Sequence, residues 1–126
     1  MGTILLKEVK HSADSAYREV CEQLDRGSLS ALLNTAEGNG KRQSRQRAKF
    51  FDDARGSAVE CAGCLDALVA KGLTQPRRII DGKTMLWRIV SMLSKLVDRF
   101  DESSDENAGV RPRPSSSFSS SKNEKG

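Results

Sequence analysis

From Ser44 to Lys71 the apolar residues Phe51, Ala54, Ala58, Cys61, Leu65 and Leu68 recur at steps of 3 or 4, which lines them up on one side of a helix. Ser44 is the expected N-cap, its hydroxyl accepting from an early backbone N–H, and Gly72 is the expected left-handed residue that stops the helix. At 1.5 Å per residue the element is roughly 42 Å long. Gly56 falls inside it, where a glycine costs about 1 kcal/mol relative to alanine. Because Ala54, Ser57, Ala58 and Ala62 are also small, the pattern predicts that another helix passes close by.

A second segment, from about Gly82 to Phe100, carries Met85, Leu86, Ile89, Met92, Leu93, Leu96, Val97 and Phe100 on a face broad enough for contact on two sides. The intervening Gly72–Asp81 stretch, with Thr74, Gln75 and Pro76, reads as a helix-helix connection, so the two helices should lie antiparallel. Upstream, Ala13, Tyr17, Val20, Leu24, Ala31, Leu32 and Ala36 keep helical spacing from a Ser12 cap to Glu37, weakened in the middle by Gly27-Ser28. The stretch from Ile4 to Lys10 is either the first turns of this helix or the stump of a separate one. After Phe100 the chain turns acidic and then serine-rich through Ser121, so 101–126 is expected to be a disordered tail, either a tether or phosphorylation target or simply a solubilising segment.

Composition agrees with packed helices. Of 126 residues 37% are hydrophobic and only six are aromatic, so one core must be built from Leu, Ile, Val and Ala. Residues 1–100 hold 17 Lys/Arg against 12 Asp/Glu, whereas the tail holds 4 against 5, which assigns the basic excess to the helical part. Lys41, Arg42, Arg45, Arg47 and Lys49 crowd five positive charges into nine residues. Such a density either attracts phosphate or is the solvated start of a helix. No apolar run approaches the ~20 residues of a membrane span, and Ile4-Leu5-Leu6 runs at once into Lys7-Glu8, so a cytoplasmic protein is expected. Three cysteines fit reduced thiols better than a disulfide framework.

Candidate chemistry is sparse. The single histidine, His11, lies near the amino terminus, and no nucleophile-base arrangement suggests itself, so no catalytic residue and no cofactor is expected. Cys61 and Cys64 form a CxxC without a second pair, and Cys61 belongs to the apolar stripe; core cysteines are expected rather than a metal site. The glycines around Lys41-Arg42 do not make a phosphate loop, because a helix rather than a strand precedes them and Arg42 follows the lysine. A helix C-cap at Gly38 and a tight turn through Gly40 account for them.

Two motifs nevertheless stand out: Asn34, Ala36, Glu37, Gly38, Gly40 and Lys41 in the first turn, and Ala54, Arg55, Gly56, Ser57 and Glu60 in the helix that follows. With helices on both sides, this pattern resembles the four-helix-bundle proteins encoded in intervening sequences of bacterial 23S ribosomal RNA genes, a family similar to the accessory variability determinant of diversity-generating retroelements. The resemblance covers roughly residues 28–100. It implies an all-α, antiparallel up-and-down bundle over residues 1–100 that forms a homopentamer with a basic surface, meets RNA or DNA, and in the retroelement relatives binds a reverse transcriptase. By the same resemblance, Asn34, Glu37, Gly38, Gly40, Arg55, Gly56, Ser57 and Glu60 would lock helices or subunits together, and Lys41, Arg42, Arg45, Arg47 and Lys49 would meet nucleic acid. The family places a complete helix before the one ending in Ala36-Glu37-Gly38. Here about a dozen residues precede Ser12, which leaves a short first helix or a fusion of the first two.

Two classes of function follow. One is a nucleic-acid-binding assembly factor without catalysis, the other a structural oligomer or protein-interaction module with no nucleic-acid role; neither involves a membrane or a small-molecule substrate.

Overall fold

A computed structural model describes the backbone of residues 2–107 and the side chains of residues 7, 8 and 10–102. The expected tail beyond residue 107 lies outside the described residues. The chain forms three helices, α1 (Gly2–Gly40), α2 (Ser44–Ala70) and α3 (Pro76–Asn107), with no strand and no fourth helix among the described residues.

Cross-helix contacts fix the directions. Gly38, Gly27 and Leu24 of α1 meet Phe51, Cys61 and Cys61 of α2, so the two helices run antiparallel. Likewise Arg55 reaches Ser94 and Asp66 reaches Lys83, which sets α3 antiparallel to α2. α2 packs against both neighbours, but no Cα of α1 comes within 8 Å of one in α3. The three helices therefore make an open array with α2 in the middle. Its register brings the end of α2 level with about Arg18 of α1. The backbone from Gly2 to about Ser15, roughly 20 Å at 1.5 Å per residue, extends beyond that level.

The α2 stripe is where the core forms. Phe51, Ala54, Ala58 and Cys61 are at most 1% exposed, Leu68 is buried and Leu65 half-buried. Phe51 and Ala54 join Leu93 and Val97 of α3, with Ile89, Leu96 and Phe100 packed around them, and the Phe51 and Phe100 rings lie 5.8 Å apart. Only part of the other two stripes is covered, because α2 is the sole helix each meets among the described residues. In α1, Val20 is buried and Leu24 half-buried, whereas Tyr17, Leu32 and Ala36 are exposed; in α3, Met85 and Met92 are exposed.

Several local expectations are corrected. Ser12 does not cap α1, which begins at Gly2 and runs past Glu37 to Gly40; Ile4–Lys10 take the first of their two expected places, as its first turns, and Gly27-Ser28 does not break it. Gly27 is buried against α2, while the Ser28 hydroxyl donates back to the carbonyls of Leu24 and Asp25 at 2.9 and 3.1 Å. Gln43, not Ser44, is the N-cap of α2, with an extended backbone and no side-chain cap bond, which puts Ser44 inside the first turn. The other end is as expected. Gly72 takes φ 71°, and the N–H groups of Gly72 and Leu73 bond the carbonyls of Val69 and Leu68, a Schellman motif.

α3 begins at Pro76, within the stretch read as a connection, because a proline in the first helical position gives up an N–H that would be unpaired there anyway. It also continues past Phe100 to Asn107, into the segment expected to be tail. Gly38 is not a C-cap: it lies within α1, where a Cβ would stand 2.7 Å from the Phe51 ring. No described residue comes within 4 Å of the Cβ position of Gly56, so the close approach expected there occurs at Gly27, 2.9 Å from the Cys61 sulfur.

Candidate nucleic-acid interface

Three residues, Lys41, Arg42 and Gln43, join α1 to α2, and a turn this short holds the basic cluster at one end of the array. The five cations have different situations. Arg47 is turned inward: its Nε donates to the Lys41 carbonyl at 2.7 Å, its Nη2 to the Asn39 carbonyl at 3.4 Å, and its guanidinium lies 5.1 Å over the Phe100 ring. A cation is favourable at a helix C-terminus, where carbonyls are left without intrahelical partners. Arg47 thus ties the end of α1 to α2 and α3.

Lys41 and Lys49 flank the Phe50 ring, each ammonium 5.3 Å from its centroid, and each pairs locally, with Glu37 at 3.5 Å and Asp53 at 3.8 Å. Exposed pairs of this kind hold their partners weakly, so both ammoniums stay available. Arg42 and Arg45 are exposed and have no acidic partner among the described residues. The cluster is therefore two free arginines, two loosely engaged lysines and one structural arginine.

The residues of the two motifs divide in the same way. Arg55 bonds Asp52 on its own helix and reaches the Ser94 hydroxyl of α3 at 3.3 Å. The Ser57 and Ser30 hydroxyls are 2.8 Å apart across α1 and α2, and the Asn34 amide donates to the Ser30 carbonyl at 2.9 Å. These three side chains join helices or brace one. Glu37 reaches no further than Lys41, while Gly56 and Glu60 are exposed. Glu60 lines an open groove between α1 and α2 together with Gln23, Arg26, Leu29, Leu33 and Asn34. Gly40 has open space around it.

The thiols are free; Cys61 is buried, and Cys21 and Cys64 are half-buried. Burial pushes the Cys61 and Cys64 thiols above the ordinary range, with the charge of Glu60 adding to it. Such thiols are poor nucleophiles. Among the described residues no group of three or more His, Cys, Asp or Glu could hold a metal ion, and no helix is long and apolar enough to cross a membrane.

Sequence reasoning missed the structural use of Arg47, which the demand of the α1 carbonyls could have signalled. It also missed Ser30 and Ser94, whose hydroxyls only the register of the helices brings into play. No curated protein and no solved structure matches the chain significantly. A family model does, over residues 5–95, a span that takes in the first turn, both motifs and most of α3: the chain belongs to the 23S rRNA-intervening sequence protein family.

Proposed function

We propose that the protein is a non-catalytic, self-assembling helical protein that binds nucleic acid through the surface around the α1–α2 turn. The observation that carries the binding is Arg42 and Arg45, two exposed guanidinium groups with no acidic partner among the described residues, beside Lys41 and Lys49. Lysine and arginine in this state release counterions from phosphate without reading sequence, which fits a structured RNA as the ligand. Membership of a family defined by 23S rRNA intervening sequences is compatible with that ligand class.

Assembly is supported by the apolar surface left bare. Leu29, Leu32 and Leu33 on α1 are 56%, 66% and 55% exposed, and Met85 and Met92 on α3 are 63% and 58% exposed. A neighbouring copy covering the α1 face would complete a bundle of four helices around the open array. Five copies in a ring and a reverse transcriptase as protein partner are what the retroelement resemblance adds. The same bare faces favour a second reading, a structural oligomer indifferent to nucleic acid.

A mobility-shift titration with a structured RNA at several salt concentrations separates the two, combined with light scattering. The proposal expects an oligomer whose RNA affinity falls steeply with salt and drops at least tenfold in Arg42→Glu/Arg45→Glu. An oligomer that ignores RNA leaves the second reading; a monodisperse monomer removes self-assembly from both.

A further inference from the structure

Six of the chain's basic residues lie on α3. Lys83 is turned toward α2, where its ammonium meets Asp66 at 2.8 Å. Arg78 stands roughly 60–100° around the helix from the remaining four. The other four, Arg77, Arg88, Lys95 and Arg99, are exposed, and at about 100° per residue they fall within roughly 40° of one another around the helix. They form a ridge about 33 Å long, at 1.5 Å per residue, on the side away from Leu93 and Val97.

This ridge is not arranged as an ordinary solvated face. Lys41 and Lys49 each take a carboxylate one turn away, Glu37 and Asp53, whereas the ridge, like Arg42 and Arg45 of the turn, does not. Asp81, Asp98 and Glu102 share the outer side of α3, yet none of them pairs with the ridge. Lys95 and Arg99 stand four residues apart, where like charges repel. Trp87, the chain's only tryptophan and the residue before Arg88, is 48% exposed on the flank of α3, roughly 80–120° around from the ridge. The ridge also continues into the turn cluster, since the guanidinium groups of Arg99 and Arg47 both lie over the Phe100 ring, at 5.9 and 5.1 Å.

From this arrangement we infer that the outer face of α3 is a second nucleic-acid-binding track, with Arg88, Lys95 and Arg99 following the phosphates of an RNA strand and Trp87 stacking against an unpaired base. Cations spaced along a groove or ridge with an aromatic platform beside them are the elements by which proteins hold single-stranded segments. The inference rests on the binding proposed for the turn and extends it along α3.

Trp87 supplies its own reporter. The full chain is titrated with an RNA hairpin carrying a single-stranded loop and, separately, with inorganic polyphosphate, while tryptophan emission is followed; affinities are measured in parallel by mobility shift. The hairpin should quench Trp87 saturably, and polyphosphate should compete for the site with little quenching. Arg88→Gln/Lys95→Gln/Arg99→Gln should bind the hairpin at least tenfold more weakly, with a shallower dependence on salt. Trp87→Phe should weaken binding while keeping the salt dependence. Circular dichroism checks that each variant folds, as expected for exposed positions. Wild-type affinity in the triple variant, with binding abolished by Arg42→Glu/Arg45→Glu, overturns the α3 track and leaves the turn standing. Binding without any change in Trp87 emission overturns the stacking. A wild-type chain that binds no RNA overturns both sites.

Discussion

Gly38 packs against the ring of Phe51, close enough that a Cβ would stand 2.7 Å from Cε1 and 2.9 Å from Cδ1. Phe51 is 1% exposed and anchors the main apolar cluster, so its ring has little room to retreat. Gly38→Ala should therefore destabilise the fold by about 1–3 kcal/mol, the usual cost of overpacking. Two residues on, Gly40 has nothing within 4 Å, and Gly40→Ala should change stability little. Urea denaturation of the pair measures the contrast; equal midpoints would mean that α1 does not approach Phe51 this closely.

Gly72 closes the Schellman motif with φ 71°, a region an L side chain enters at a cost of roughly 1–2 kcal/mol. Gly72→Ala should lower the denaturation midpoint accordingly. Its slope should not change, since no core contact is lost.

Gly56 presents the opposite case. No described residue is near it, and an interior glycine costs about 1 kcal/mol relative to alanine, so no contact among the described residues offsets its presence. Gly56→Ala should raise the melting temperature. Gly56→Leu should reduce the mass of the assembly in light scattering while helix content is unchanged, as expected if a neighbouring copy passes there. An unaltered mass would exclude this face from the interface.

Cys61 and Cys64 have thiols held above their ordinary value of 9.0 by burial. In the unfolded chain they ionise at that value, so the unfolded state loses its protons first as pH rises. Stability should be independent of these groups below the unfolded value and decline as pH climbs from there through the raised folded values. A denaturation series across this range should show the decline, reduced in Cys61→Ala/Cys64→Ala. Below the window, both thiols should react with a disulfide reagent much more slowly than in urea.

The helices were legible in the sequence because each carries a stripe at steps of 3 and 4; that of α2 turned out buried nearly residue for residue. The glycines were not. Gly38, Gly27 and Gly56 look alike as letters, and whether a helical glycine ends a helix, admits a neighbour or stands bare depends on the register between helices, which local spacing does not encode. Arg47 shows the same limit at the candidate interface: five clustered cations read as one surface, yet one of them is held inward by the carbonyls of Asn39 and Lys41. The α3 ridge was obscured because its members are spread over more than twenty residues instead of being adjacent.

Since α1 and α3 meet α2 but not each other, the chain's tolerance to local opening should be graded. Either outer helix can peel away while the remaining pair keeps its shared seam, but loosening α2 dissolves both seams at once. Backbone amides in the middle of α2 should then exchange with deuterium only through global unfolding, and those of the α1 overhang should exchange first.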